Sequence, residues 1–346
     1  LSFSSRPVRA ALLGYGYVGK TFHAPLLQAV DGIELALIGS SRPDAVHERY
    51  PAVRISAPAD AAVDAEIDLV VIATPNDSHY PLAAAALRAG KHVVVDKPFT
   101  ITLAEAESLA TIAQKHGRLL SVFHNRRWDS EILATKQVLA SGVLGEVSHY
   151  ECHMDRFRPL VRQRWRENPG PGAGLWFDLG PHMIDQALHL FGMPQAIQGD
   201  LAILRQGGQT DDWGHAVLHY PHMRAVLHAS LLVSGGGPRT VLHGTQGSWA
   251  KFGADVQEPQ LQKGMSPNDP AFGIDPDEGI LYDGATGTQT RTPTPIARQQ
   301  GYYEAIRDAI LHGAPLPVTA AEGVAVMQVL EAFYTSAREG RTVHFD

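Results

Sequence analysis

The first third of the chain alternates short apolar runs with segments of helical spacing. Strand-like runs fall at 8–13, 33–39, 67–73, 91–95 and 118–123, and helical stretches at 78–89 and 103–116 lie between the later ones. Thr102-Leu103-Ala104-Glu105 has capping-box spacing at the start of the 103–116 helix, Gly117 is placed to end it, and Gly90 closes the preceding helix in the same way. Strands alternating with helices predict βαβ units on a parallel sheet, running to about Phe123. Pro25 predicts an interruption near His23 in any helix that follows Gly19.

The pattern then changes. A helix is predicted from Asp129 to Ala140, stopped by Ser141-Gly142, and beyond it come long runs at 147–157, 213–219 and 224–233. Successive strands without helices between them predict an antiparallel sheet. Helices near 298–312 and 319–339 close the chain. The stretch 253–295 is rich in Gly, Pro, Asp and Thr and reads as a long surface loop with little regular structure. The expected architecture is an α/β Rossmann domain over 1–123, followed by an α+β domain over 124–346 with a large, mostly antiparallel open sheet.

Composition narrows the function classes. With 346 residues, 44% hydrophobic and 19% charged, the chain has enough apolar surface for two cores. A net charge of -7 argues against a general nucleic-acid binder, which needs a basic excess to displace counterions. No apolar run approaches bilayer length and no signal-peptide core is visible, so no membrane partner is expected. The single cysteine, Cys152, can form no internal disulfide, which suits a reducing cytoplasm. Among 17 histidines, His149 and His153 would share a strand face and His219 and His222 flank Pro221, but neither pair has a convincing third ligand. No metal site is expected.

The first strand ends directly in Gly14-x-Gly16-x-x-Gly19. The first glycine permits a tight turn, the second lets the backbone approach a pyrophosphate, and the third lets the following helix pack close to its strand. Standing between a strand and a helix-like segment, the pattern predicts a dinucleotide site. At the end of the second strand, the region reads Gly39-Ser40-Ser41-Arg42, with no carboxylate before Asp44. A carboxylate would repel a 2′-phosphate, whereas two hydroxyls and a guanidinium bind one, so NADP is favoured with NAD as the alternative. The same residues also suit a plain polar turn with a solvated arginine.

Four further groups carry candidate chemistry. Asp96 and Lys97 stand at the end of the buried run Val93-Val94-Val95, where a lysine can stabilise a developing alkoxide, or where the two can form a structural pair. Thr74-Pro75-Asn76-Asp77-Ser78-His79 follows another strand and reads as a cofactor-facing turn with a helix cap, in which His79 is more structural than catalytic. In Gly174–Asp185, spacings of four and three bring Asp178, His182 and Asp185 to one helical face. Pro181 belongs in a first turn, which places Asp178 just before the helix or at its cap. A carboxylate orienting a proton-accepting imidazole is the functional reading, and a capping aspartate with a surface histidine is the alternative. Arg156, Arg158, Arg162, Arg164, Trp165 and Arg166 suit a polyhydroxylated substrate and a cofactor phosphate, or equally a solvated basic face.

Together these residues resemble the glucose–fructose oxidoreductase, inositol dehydrogenase and rhizopine catabolism (Gfo/Idh/MocA) family over nearly the whole length. The resemblance rests on the glycine motif, Ala73-Thr74-Pro75-Asn76, and Asp96-Lys97-Pro98 where many members have Glu-Lys-Pro. It continues through His124-Asn125-Arg126-Arg127-Trp128, Trp165-Arg166 and the Asp178/His182/Asp185 pattern. Phe22-His23-Ala24-Pro25 and Ser40-Ser41-Arg42 look most like an NADP-linked subgroup that includes scyllo-inositol dehydrogenases. The resemblance implies Lys97, Asp178 and His182 as the catalytic group and a cis peptide before Pro98. It implies Trp165 and Arg166 as cofactor contacts beside Gly14, Gly16, Gly19, Ser40, Ser41, Arg42, Thr74, Pro75, Asn76, His79, Asp96 and Lys97. Asn125 and Arg156 join the catalytic residues as expected substrate contacts, and the open sheet face implies a homodimer or homotetramer. The expected activity is NADP-dependent hydride transfer between a secondary alcohol of a cyclic polyol or sugar and its ketone. A retained-cofactor sugar oxidoreductase or glycosidase, and a non-catalytic dinucleotide sensor, are the alternatives.

Overall fold

The computed structural model describes residues 6–345, which divide into two compact units. The first comprises the chain through Asn125 together with 257–272 and 298–324; the second comprises 126–256, 273–297 and the remaining C-terminal residues. Among the described residues, no helix is long and apolar enough to cross a membrane.

The first unit is built on six parallel strands: β1 (Val8–Leu13), β2 (Ile33–Gly39), β3 (Arg54–Ser56), β4 (Leu69–Ile72), β5 (His92–Val95) and β6 (Leu120–Val122), in the order β3-β2-β1-β4-β5-β6. The central strands are buried on both faces, which is why β4, β1 after Arg9 and β5 after His92 read as continuous apolar runs rather than alternating ones. The capping box forms as its spacing requires: Thr102 accepts from the Glu105 amide and the Glu105 side chain returns to the Thr102 amide. Gly117 ends that helix in the left-handed conformation at φ 59°, which glycine adopts without a side-chain clash. The segment after Gly19 is interrupted where Pro25 predicts, a π-helical stretch Gly19–His23 passing into the helix Ala24–Gln28 with Pro25 in its first turn.

The second unit carries a nine-stranded sheet made of β7 (Val147–His153), β8 (Ala196–Ala202), β9 (Trp213–His219), β10 (Arg224–Ser230), β11 (Thr240–Gly244), β12 (Gly247–Lys251), β13 (Gly279–Asp283), β14 (Gln289–Thr292) and β15 (Val343–His344). Its order is β14-β13-β12-β11-β7-β10-β9-β8-β15, and every pair is antiparallel except β7 with β10. Side chains alternate across it. Tyr150, Cys152, Ala216, Leu218, Ala225 and Leu227 are buried, whereas His149, Glu151, His153, His215 and His228 on the opposite face are half-buried. The helix Leu175–Phe191 packs on the apolar face, its Trp176 stacked on Phe333 at 4.1 Å between ring centroids. Gly214 and Gly199 lie beneath those two rings, where any side chain would collide with them.

Two expectations need correction. The stretch 253–295 is not a structureless loop: it contains the helix Gln257–Gln262 and the hairpin of β13 and β14. Asp283 nucleates the hairpin turn by accepting from the amides of Ala285 and Thr286, and the fully buried Lys251 ammonium anchors the segment through Asp275 at 2.9 Å and Asp277 at 3.0 Å. β14 is an exposed edge strand of Gln, Thr and Arg, so it lacks the apolar alternation that marks a strand in sequence. Nor does the later helix begin near Pro181. It starts at Leu175, with Asp178 in its first turn and Pro181 inside it. Gly180 precedes the proline and has no Cβ to strike the pyrrolidine ring, which removes part of the steric cost of that position.

Candidate functional site

In the first unit, the candidate residues gather at one edge, the carboxyl ends of the parallel strands. Gly14 follows β1, Ser40 follows β2, Thr74 and Pro75 follow β4, Asp96 and Lys97 follow β5, and His124 and Asn125 follow β6. Strand order reverses direction between β1 and β4, and this is where ligands of open α/β sheets settle. The three glycines differ in what surrounds them. Gly14 has φ +97° and a Cβ there would lie 2.5 Å from the Ala73 carbonyl oxygen. At Gly19 a Cβ would strike the Gly14 carbonyl oxygen, whereas at Gly16 it would meet nothing within 4 Å. Two glycines are therefore required by the turn itself, and the third leaves open space above the main chain. That space fits the pyrophosphate of a dinucleotide.

The adjoining turns are fixed from within. Ser40 accepts from the Arg42 amide at 3.1 Å, leaving the Arg42 side chain exposed beside the exposed Ser41. Thr74 accepts from the Ser78 hydroxyl at 2.6 Å. His79 is 1% exposed, its Nδ1 2.9 Å from the Pro98 carbonyl and its Nε2 3.0 Å from the Thr74 carbonyl, so it ties two turns together instead of facing solvent. Burial lowers its pKa, against the opposing charge of Asp96 and those carbonyls. The Lys97–Pro98 peptide is cis. Asp96 is buried, and burial raises its pKa, but the nearby His23 imidazole and the Lys97 charge outweigh that and the net shift is downward. His23, itself fully buried, lies 3.6 Å from Asp96 on one side and 2.5 Å from the Tyr303 hydroxyl on the other.

In the second unit, Asp178 and His182 stand four residues apart at the start of the helix Leu175–Phe191, His182 only 5% exposed. The expected third member of that face does different work. Asp185 is buried in a forked pair with Arg127, whose Nε lies 3.0 Å and terminal nitrogen 2.7 Å from its oxygens, and so fixes the helix to the turn Asn125–Trp128. Arg166 lies 3.6 Å from Asp178 and its guanidinium stacks 4.8 Å from the centre of the Trp165 ring. Arg156, Arg158, Arg164, Arg166 and Asp178 line one cavity. Arg162 is exposed and lies outside that lining.

Sequence spacing missed the residues that hold this cavity. Arg205 is buried, pairs with Asp212 at 3.0 Å and Glu167 at 3.2 Å, and donates to the carbonyls of Arg158 and Leu160. Asp211 accepts from the Trp176 amide at 2.6 Å and so caps the helix from a separate loop. Burial pushes the Asp211 pKa up to about 6. On the sheet face, His149 and His153 do lie together, each 2.7 Å from Glu151. Among the described residues, no group of three or more His, Cys, Asp or Glu side chains is arranged to hold a metal ion.

Residues 8–124 match the model described as "Oxidoreductase family, NAD-binding Rossmann fold", and residues 136–345 match the C-terminal alpha/beta domain of the same family. The chain belongs to the Gfo/Idh/MocA oxidoreductase family. It is similar to the uncharacterized oxidoreductase YdgJ of Escherichia coli (strain K12), 48% identical over 97% of this chain and 98% of that one. It is also similar to the scyllo-inositol 2-dehydrogenase (NADP(+)) IolW of Bacillus subtilis (strain 168), 39% identical over 97% of this chain and 95% of that one. A crystal structure of a Klebsiella pneumoniae protein superposes with a TM-score of 0.93 at 48% identity, covering 99% of this chain and 96% of that one. This Gfo/Idh/MocA member is an oxidoreductase with an NAD(P)-binding Rossmann domain.

Proposed function

We propose that the protein interconverts a secondary alcohol of a cyclic polyol or sugar and its ketone, using NADP. The observation that carries this reading is the Asp178 and His182 pair, one helical turn apart at the start of a buried helix, in a chain whose Rossmann unit presents Lys97 at its ligand-binding edge. A dinucleotide sensor has no need of that proton-handling pair. The name of IolW, an NADP-linked inositol dehydrogenase, supports a polyol substrate and the cofactor choice.

A bound nicotinamide dinucleotide supplies the hydride acceptor and donor. Gly14, Gly16 and Gly19 hold its pyrophosphate against the main chain; Thr74, Pro75 and Asn76 flank it, with Trp165 and Arg166 as contacts from the second unit. His182 takes the hydroxyl proton as general base in oxidation and returns it in reduction. Lys97 donates a hydrogen bond to the same oxygen and stabilises its negative charge. Asp178 orients the His182 ring, while Asn125 and Arg156 bind substrate hydroxyls. Ser40, Ser41 and Arg42 receive the 2′-phosphate, because the turn after β2 presents hydroxyls and an exposed guanidinium and has no carboxylate before Asp44.

Nicotinamide absorbance, followed with NADP and NAD in parallel across a panel of inositols and sugars, tests the activity. Turnover with NADP and at least one polyol is expected, and silence across the panel with tight NADPH binding would favour a retained-cofactor enzyme or a dinucleotide sensor instead. In the same assay, Arg42→Ala should weaken NADPH binding by roughly tenfold while leaving NADH binding within about twofold. Equal losses for the two cofactors would refute the 2′-phosphate assignment.

A further inference from the structure

The cavity at the start of the helix Leu175–Phe191 holds more positive charge than its own carboxylates neutralise. Five arginines line it: Arg156, Arg158, Arg164, Arg166 and Arg205. Arg205 is matched by Asp212 and Glu167, and Arg166 faces Asp178. Asp211, also in the lining, has its pKa raised by burial to about 6, and its Oδ2 receives the Trp176 amide. Neither Arg158 nor Arg164 forms an ion pair among the described residues. Burial, and then the charges of Arg156, Arg162 and Arg164, push the Arg158 pKa downward against the opposing charge of Asp178.

The main chain is built to keep them there. The Arg156 amide donates to Ser230 and the Arg158 amide to Leu231, so the segment runs as a continuation of β7 alongside the end of β10. Arg205 clamps the next stretch through the carbonyls of Arg158 and Leu160. Like charges fixed at short range cost free energy unless an anion joins them, and a guanidinium meets a carboxylate or phosphate through two parallel hydrogen bonds. Neutral hydroxyl groups alone would not offset that repulsion.

We propose that this cavity is an oxyanion subsite in which Arg158 and Arg164 receive a carboxylate or phosphate group beside Asp178. The group is borne either by the substrate, making it a sugar acid or sugar phosphate, or by the dinucleotide. The substrate version rests on the reading of Asp178 and His182 given above; the oxyanion site itself does not.

The test titrates the full chain and its Arg158→Ala and Arg164→Ala variants by calorimetry, with D-glucuronate and D-glucose in the presence of NADPH, and with NADPH alone. If the substrate carries the anion, wild type binds glucuronate about tenfold more tightly than glucose, added salt erodes the preference, and both variants lose it with unchanged NADPH affinity. A cofactor phosphate in the cavity instead predicts about tenfold weaker NADPH binding in both variants, with the two sugars equivalent throughout. Equal affinities across wild type and variants for all three ligands, absence of sugar binding included, overturn the proposal. Arg164 lies on an exposed loop, so its variant stays informative if Arg158→Ala fails to fold. Selective glucuronate binding without hydride transfer to any polyol would refute the proposed activity while leaving the subsite standing.

Discussion

The two units shape their candidate ligand sites from different materials. At the edge of the parallel sheet, the dinucleotide turn is shaped by main chain, and its specificity comes from where side chains are missing. Gly14 and Gly19 have no room for a Cβ, and Gly16 leaves open space of a kind that fits a phosphate. At the start of the helix Leu175–Phe191, the cavity is shaped by long charged side chains whose positions depend on partners far away in sequence. A site made of missing side chains tolerates no additions. One made of ion pairs fails when a single partner is removed, and it responds to pH and salt as the first does not.

Substitutions that strike each material separately would break or sharpen this contrast. The largest effect is expected from Gly19→Ala, since the added methyl collides with the Gly14 carbonyl and forces the turn or the helix aside. NADPH binding, read by fluorescence titration, should weaken by about 100-fold or more, with a thermal shift of the first unit. Near-normal affinity would mean that the turn yields easily and that backbone geometry is not what defines this half. In stability, the largest effect is expected from Arg205→Ala, which leaves the buried Asp212 and the half-buried Glu167 without their cation and releases two carbonyls. Urea unfolding should show a loss of about 3–5 kcal/mol. A loss below about 1 kcal/mol would remove Arg205 as the anchor of the arginine segment.

The smallest effect is a charge response. The Asp211 pKa is raised to about 6 from 3.8, so between those values the folded state binds more protons than the unfolded state. Stability therefore falls as pH rises through this window, and the ionised carboxylate is a cost above it. Asp211→Asn lacks the titration, and its stability relative to wild type should improve by roughly 2–3 kcal/mol between about pH 4 and pH 7. A constant difference across that range would show that Asp211 is not held protonated by burial. The glycine turn contains no carboxylate or imidazole, and burial moves the pKa of its Tyr15 further upward, away from this range.

The contrast also explains what could be read from the sequence. A turn that only glycine can make leaves its mark at three fixed positions, and a capping box leaves Thr102 and Glu105 three apart, so both are visible locally. Asp178 and His182 are visible for the same reason, being one helical turn apart. The arginines could be counted but not placed, because Arg205, Asp211 and Asp212 come from the β8–β9 connection and nothing in their spacing points to residues 156–166. The hairpin of β13 and β14 was hidden similarly: its strands are ordered by a buried Lys251 and an Asp283 turn, not by an apolar stripe. Asp185 shows the opposite failure, a correct helical face whose third member serves a structural pair with Arg127.

The most direct test of the account separates cofactor holding from proton handling. NADPH affinity and polyol turnover would be measured together in wild type, Lys97→Ala and His182→Asn. The account predicts NADPH affinity within about twofold in all three, with turnover reduced by about a hundredfold or more in both variants. Turnover close to wild type in either variant, or a loss fully explained by weaker NADPH binding, would contradict it.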